Sequence, residues 1–402
     1  MWTEPSETVV EADASPVSPR EAGEKPRLVV GVTSDQTCLV LKGRLRALRL
    51  AGFEVTLIAS PGELLSRIAE EEGVVAVALP MRRGIAPMAD LISFFALWRA
   101  LAKLRPTITD FSTPKAGLLG NVVAWMLQVP CRVYTLRGLK LEGLRGWKQR
   151  LLLESERMAG KCAHLVLCNS ASLRSEALGL RVAVEEKLRL LGDGSSGGVD
   201  TKEFSPGASD ARGKLGIGED DYVVGFVGRL TRDKGIPELL EAFEEILRAE
   251  PRCWLLLVGW FDSSEDALDQ RWRTHIAAHP RIRCTGFVVD TVPYYQAMDL
   301  FVLPTRREGF PNVALEAAAC GLPVITTDST GARDAVLPGI TGRVIPVGNS
   351  GVIAEAVVGL LRDERLRRQM GMAGRRWVTE RYSRERMLEL MVEFYRGLMR
   401  SA

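Results

Sequence analysis

Histidine is nearly absent from this 402-residue chain; the only three are His164, His275 and His279. None stands in a metal-ligand spacing with cysteine, aspartate or glutamate along the sequence, so no zinc site is expected. With so few histidines and no reactive Cys/His or Ser–His–Asp ordering, a hydrolase triad has little support. The seven cysteines, at 38, 131, 162, 168, 253, 284 and 320, form no C-x-x-C pair and read as reduced, mostly buried thiols. There is no G-x4-G-K-[ST] loop, and no G-x-G-x-x-G follows the first strand, which argues against a P-loop and a dinucleotide cofactor. No apolar run reaches the ~18 residues of a membrane span. Leu91–Trp98 is too short, and Ala116–Pro130 is interrupted by Asn121 and Gln128. Residues 1–25 are acidic and lack the apolar core of a secretory signal. No period of 20–50 residues repeats, so a solenoid or propeller is excluded.

What is present begins with charge. The formal net charge of +3 hides an asymmetry. Residues 1–25 carry two basic and six acidic side chains, residues 26–192 carry 24 and 14, and residues 193–402 carry 27 and 30. The first half therefore has an excess of ten positive charges, which suggests an anionic partner such as a membrane surface or a phosphorylated acceptor. Nucleic acid is the competing partner, but no recognised nucleic-acid motif accompanies the charge, and none is expected to bind.

Residues 1–26, with four prolines among Glu, Ser and Ala, read as a disordered tail. After it, short apolar runs alternate with helical patterns. Strands are expected at Arg27–Thr33, Phe53–Ala59, Val74–Leu79, Thr107–Asp110, Arg132–Leu136 and His164–Cys168. A second series follows at Tyr222–Val227, Trp254–Val258, Ile282–Cys284, Leu300–Leu303, Pro323–Thr327 and Thr341–Ile345. Such alternation predicts an α/β fold with parallel sheets covered on both faces. The Gly/Ser-rich stretch Leu191–Asp200 is the expected interdomain break, though its glycines would equally suit a loop closing over a ligand. The reading is two doubly wound, Rossmann-like domains, residues 27–192 and 193–382. A final helix, residues 383–402, is expected to pack back toward the first domain. Helices Met88–Leu104 and Arg145–Ala159 mix apolar and basic residues; either they lie on anionic lipid or they bury one face in the core.

In open parallel sheets ligands bind at the carboxyl ends of strands, where the glycine-rich turns of this chain fall. The turn VGRLTRDKG places Arg229 and Lys234 after a strand, as phosphate ligands or as solvated surface cations. The stretch PTRREGFPNVALEAAACG places Glu308 in a loop and Glu316 in the opening turns of a helix, with Asn312 as the expected N-cap and Gly321 and Pro323 ending it. Free N–H groups at a helix start suit an anion, and carboxylates beside them suit hydroxyls. A phosphorylated polyol such as a nucleotide sugar fits; so does an ordinary capped helix with solvated glutamates.

The segments VGRLTRDKGIPELLEAF, MDLFVLPTRREGFPNVALEAAACGLPVITTD and GARDAVLPGITGRVIP resemble the second domain of family-4 retaining glycosyltransferases, which have the GT-B fold: two Rossmann-like domains facing across a cleft. More loosely, AGFEVTLIASPGE, STPKAGLLGNVVA, VYTLRGL, VLCNSASLR and GSSGGVD resemble the subgroup that builds lipid-linked or capsular glycans. The resemblance spans residues 27–400. It implies an N-terminal acceptor domain and a C-terminal nucleotide-sugar domain. Arg229 and Lys234 would then bind and stabilise the donor diphosphate, and Glu308 would bond sugar hydroxyls. The backbone of Gly309, Phe310, Pro311 and Asn312 would line the sugar and phosphate, Glu316 would grip the ribose, and Gly43 would lie near the donor phosphates. Glu308, Arg229 and Lys234 would be the catalytic group. A UDP-sugar donor is implied, with no bound cofactor and no metal requirement. Two departures matter. Many relatives carry a histidine where this chain has Arg137, an obligate cation that cannot be a base but can select a charged donor or acceptor. Ser329-Thr330-Gly331 replaces the paired glycines that relatives often show.

The expectation is thus a retaining UDP-sugar glycosyltransferase acting on a lipid-linked or amphiphilic acceptor. It would be cytoplasmic, with peripheral attachment to the inner face of the cell membrane open. The alternatives are a soluble secondary-metabolite acceptor, a UDP-sugar 2-epimerase-like enzyme, or an inactive sugar-nucleotide-binding module.

Overall fold

The computed structural model describes residues 25–400 apart from 83, 85, 196, 264 and 265; the tail expected at 1–26 thus lies, up to residue 24, outside the described residues. Seven strands build the first sheet: β1 (Arg27–Gly31), β2 (Glu54–Ala59), β3 (Val75–Ala78), β4 (Ile108–Ser112), β5 (Cys131–Leu136), β6 (Leu165–Cys168) and β7 (Leu188–Leu190). Six build the second: β8 (Tyr222–Val227), β9 (Cys253–Val258), β10 (Ile282–Cys284), β11 (Leu300–Leu303), β12 (Val324–Thr327) and β13 (Gly342–Ile345). Every pairing is parallel, in the orders β3-β2-β1-β4-β5-β6-β7 and β10-β9-β8-β11-β12-β13. Both orders reverse direction beside the first strand of their sheet, the doubly wound pattern that opens a crevice at the strand carboxyl ends. The two sheets have separate cores, and all six residues of β9 are buried, as a strand covered on both faces must be.

Two points of the sequence reading needed correction. Strand β7 was not anticipated; three residues, Leu-Arg-Leu, are too short to show a period. Asn312 is not the N-cap but the first helical residue. Pro311, extended at φ −84° and ψ 99°, holds the cap position, where no side chain caps the helix, and the buried Asn312 Oδ1 is left without a hydrogen bond.

The last helix, Arg384–Arg400, leaves the second sheet and returns to the first. Met391 and Tyr395 are buried in the first unit's core, Tyr395 edge-on to Phe53, and the Tyr395 hydroxyl donates to Asp110 Oδ2 at 2.6 Å. Outgoing and returning chain also pair, because Val199 N–H donates to Tyr382 O at 2.8 Å and Arg384 N–H to Val199 O at 2.8 Å. Among the described residues no helix is long and apolar enough to cross a membrane.

Candidate active site

The carboxyl ends of the two sheets face each other across an open cleft of about 680 Å3. On the second unit's wall, β8 and β11 are neighbours in the sheet, so the loops that follow them converge. That convergence needs Gly235. It has φ 73°, and a Cβ there would lie 2.0 Å from Pro304 O. Lys234 Nζ consequently forms an ion pair with Glu308, both side chains only 16% exposed. Arg229 pairs with Asp262, and Arg307 Nη2 lies 2.9 Å from Asp266 Oδ2 and 3.4 Å from Asp233 Oδ2. This wall thus carries three cations against four carboxylates, each cation already paired.

The first unit's wall is built from the ends of β4 and β5. Arg137 directly follows β5, and its Nε donates to Ser112 Oγ, at the end of β4, at 3.1 Å. Burial and the nearby Arg44 lower its pKa to about 10, partly offset by Asp110, so it stays charged at neutral pH. Thr113 and Pro114, at the start of the helix Pro114–Met126, also line this wall. Thr113 has φ 73° and ψ 148°, a region nearly reserved for glycine, and strain of this kind clusters at functional sites. Tyr134 lines it too; its hydroxyl donates to the buried Glu156, whose pKa burial raises to about 7.

The two walls touch at Gly309. A Cβ on that residue would lie 1.6 Å from Arg137 O, so only a glycine lets the Glu308 loop pass so close beneath β5. Arg307 Nη1 donates to Lys140 O at 2.9 Å, Gly331 N–H to Ser172 Oγ at 2.7 Å, and Ser172 N–H to Asp334 Oδ2 at 3.0 Å, all from one unit to the other.

The cleft therefore gathers Arg229, Lys234, Glu308, Gly309 and Arg137 among the residues singled out from the sequence. Phe310, Pro311, Asn312 and Glu316 stand behind its lip. Phe310 is buried against Tyr382, ring centroids 5.5 Å apart. Glu316 Oε2 lies 2.9 Å from the Tyr295 hydroxyl, which is also 3.1 Å from Val313 O; one hydroxyl proton serves only one of them at a time. Burial raises the Glu316 pKa to about 7, the Tyr295 bond opposing it. Gly43 is not among the cleft-lining residues. Its N–H donates to Glu72 Oε1 at 2.8 Å, and Arg46 N–H donates to Glu72 Oε2 at 2.8 Å, so a buried carboxylate occupies that helix start.

Sequence reasoning missed Asp233, Asp262, Asp266, Arg307, Thr113, Tyr134 and Tyr295. Asp233 and Arg307 lie inside the motifs already quoted, so their proximity to Lys234 and Glu308 was the available signal. It also missed that His275 and His279, four apart at the end of the helix Gln270–Ala278, meet Glu244. Their Nε2 atoms lie 3.3 and 3.4 Å from Glu244 Oε1. This is a possible ligand set by geometry, but Arg281 N–H donates to His279 Nδ1 at 3.2 Å. That puts the proton of the neutral His279 ring on Nε2, facing the carboxylate, rather than leaving that nitrogen free as a ligand.

Two doubly wound domains with a charged cleft between their strand ends define the GT-B class of sugar-transferring enzymes. Residues 208–377 match the family described as Glycosyl transferases group 1, and residues 42–194 match the Glycosyl transferase 4-like domain. A capsular polysaccharide biosynthesis glycosyltransferase of Staphylococcus aureus, CapM, is 34% identical over 372 residues, 92% of this chain and 97% of that one. The chain belongs to the family-4 glycosyltransferases and is an enzyme of that class. A UDP-Gal:alpha-D-GlcNAc-diphosphoundecaprenol alpha-1,3-galactosyltransferase of Escherichia coli is 26% identical over 318 residues, 78% of this chain and 81% of that one. Among solved structures, the fold is shared with Anabaena Alr3699/HepE in complex with UDP and glucose. Its TM-score is 0.76 at 18% identity, covering 92% of this chain and 99% of that one. Sucrose-phosphate synthase from Thermosynechococcus elongatus shares it at TM-score 0.78 and 22% identity, over 94% and 100% of the two chains.

Proposed function

We propose that the enzyme transfers a sugar from a UDP-sugar, with retention at the anomeric carbon, to a hydroxyl or phosphate of a lipid-linked or amphiphilic acceptor in glycan or glycolipid synthesis. One observation carries the donor half: Lys234 and Glu308 are held together, part-buried, beside the Arg229–Asp262 pair. In each pair the cation is held by one carboxylate. A sugar diphosphate offers both groups the better partner at once, phosphate oxygens for Lys234 and Arg229 and hydroxyl donors for the released Glu308 carboxylate. The diphosphate would lie toward the open start of the helix Asn312–Ala319, among the backbone groups of Gly309–Asn312, with the ribose hydroxyls on Glu316.

In the transfer the acceptor oxygen bonds to the anomeric carbon as the bond from that carbon to the diphosphate breaks on the same face. The acceptor proton passes to the departing phosphate oxygen. Arg229 and Lys234 stabilise the charge that develops there, the electrostatic contribution that replaces a histidine base. These residues ask nothing of a metal.

The UDP complexes of the structural relative HepE support the donor class, and the names of CapM and the Escherichia coli enzyme support a capsular or lipid-linked product. The basic first unit supports peripheral contact with an anionic membrane. UDP release measured across a panel of UDP-sugars, with and without polyprenyl phosphates, tests the reading. Release from one donor, stimulated by the polyprenyl acceptor, is expected; no release from any UDP-sugar overturns it. Sedimentation with and without vesicles of anionic lipid tests the membrane clause, and no increase with the lipid at low salt would favour a soluble acceptor.

A further inference from the structure

The first unit's cleft wall carries cations that no carboxylate of the described residues pairs with directly. Among the described residues it is lined by two cations, Arg137 and Lys140, and by no carboxylate. Arg137 is held by its Nε alone, through Ser112, which leaves both terminal nitrogens of the guanidinium for a ligand. Asp110 is close enough to raise the Arg137 pKa. Its two oxygens, however, are committed to the Thr135 hydroxyl at 2.7 Å and the Tyr395 hydroxyl at 2.6 Å. The helix Pro114–Met126 starts at the same wall and adds its positive end.

A second observation lies at the rim of that wall. Lys115, next to cleft-lining Pro114, forms an ion pair with Asp90 in the first turns of the helix Pro87–Leu104. From there Met88, Leu91, Ile92 and Phe95, at positions i, i+3, i+4 and i+7, form one stripe, exposed by 76, 51, 61 and 51%. The same line continues into the exposed Arg99. Four large apolar side chains contiguous on one helix face are too many to be scattered surface residues. The stripe begins at the edge of a cleft whose near wall lacks an anion.

We propose that this wall seats a phosphorylated lipid: Arg137, with Lys140 beside it, takes a phosphate group of a long-chain prenyl or alkyl phosphate or diphosphate, and the Met88–Leu91–Ile92–Phe95 stripe covers the start of its chain. The inference rests on the glycosyltransferase reading above and adds to it the acceptor's head-group chemistry and its direction of exit. Charge complementarity selects this occupant, since every cation of the facing wall already has a carboxylate partner, and so does the continuity of anion site and apolar stripe. A neutral glycoside would leave the guanidinium unanswered, and a free anion would leave the stripe bare.

Calorimetry on the full chain saturated with UDP, so that the donor diphosphate site is filled, tests this with farnesyl diphosphate, farnesol and inorganic diphosphate as probes. Wild type is expected to bind farnesyl diphosphate at least about tenfold tighter than either other probe, since only this probe offers both the charged hydrogen-bond acceptor and the apolar chain. Arg137→Gln should lose roughly tenfold or more toward farnesyl diphosphate and little toward farnesol, with UDP affinity within about twofold, and Arg137→Lys should recover part of the loss. The double variant Leu91→Ser, Phe95→Ser lies on exposed positions that folding does not need. It should lose about tenfold toward farnesyl diphosphate and nothing toward inorganic diphosphate. Equal loss of UDP and farnesyl diphosphate in Arg137→Gln would overturn the proposal by assigning the guanidinium to the donor. Farnesol binding as tightly as farnesyl diphosphate would overturn it too. If wild type binds no UDP, the donor reading falls separately, and the same comparison run without UDP still decides the lipid site.

Discussion

The two walls of the cleft solve opposite electrostatic problems. On the second unit Arg229, Lys234 and Arg307 are each held by a carboxylate, so the wall has no unpaired cation and gains a ligand by exchanging partners. On the first unit Arg137 and Lys140 face the cleft with no carboxylate partner among the described residues. A self-paired wall discriminates, because a ligand must replace both halves of each pair. An unpaired wall attracts anything anionic and selects by shape. The excess of ten positive charges over residues 26–192, against the slightly acidic remainder, is the same division written along the chain.

The sharpest way to break the comparison is at Glu308, half of the pair that exchange requires. Glu308→Gln keeps the size but removes the charge that holds Lys234 and the full acceptor strength toward sugar hydroxyls. We expect kcat/KM to fall by about 10²–10³-fold, in the range for loss of one electrostatic contact at a reacting centre. UDP affinity, which draws on Arg229 and Lys234, should hold or tighten, because Lys234 is released. Equal loss of UDP binding and transfer would mean that Glu308 serves the nucleotide and not the sugar.

A smaller effect tests whether the walls must touch at all. Gly309→Ala places a Cβ 1.6 Å from Arg137 O, an overlap with backbone that no rotamer relieves. The walls must separate by roughly an ångström or more, and misplacement of that size can reduce turnover by about 10²-fold. UDP binding to the second unit and the melting temperature should change little, since neither core is involved. Unchanged kcat would show that the contact between the walls is incidental to the chemistry.

How much of this was legible beforehand follows from what a linear pattern can hold. Twelve of the strands announce themselves as short apolar runs, and the residues just past four of their ends, Arg229, Lys234, Glu308 and Arg137, are where open parallel sheets put their sites. Arg229 with Asp262, and Arg307 with Asp266, are separated by 33 and 41 positions and leave no local signature. The same holds for Glu244 and the two histidines, whose i, i+4 spacing was visible but whose third partner lies on another helix. At Gly43 the contact is also distant in sequence: its N–H donates to Glu72, 29 positions on.

The finest distinction between the two units lies in a feature they share. Each holds a tyrosine against a glutamate whose pKa burial raises to about 7, Tyr134–Glu156 in the first and Tyr295–Glu316 in the second. In both, the folded value is above the ordinary 4.5, so the folded state binds the extra proton between those pH values. The stabilising contribution is therefore complete below about pH 4.5 and is lost as pH rises through about 7, with a slope of up to ~1.4 kcal/mol per pH unit for one proton. Only Glu316 stands where ribose hydroxyls are proposed to bind, and there the sign reverses. The carboxylate accepts from two hydroxyls, the neutral acid does so poorly, and UDP affinity should rise by about tenfold between pH 6 and 8. Glu316→Gln should flatten that rise and part of the stability slope. Glu156→Gln should flatten its share of the stability slope and leave the nucleotide profile as in wild type. Calorimetric UDP titrations and urea unfolding at pH 5, 6, 7 and 8 separate the two. A nucleotide profile that flattens equally in both variants would mean that the pH dependence belongs to the fold as a whole, and that Glu316 is a buried acid like its counterpart rather than a ribose ligand.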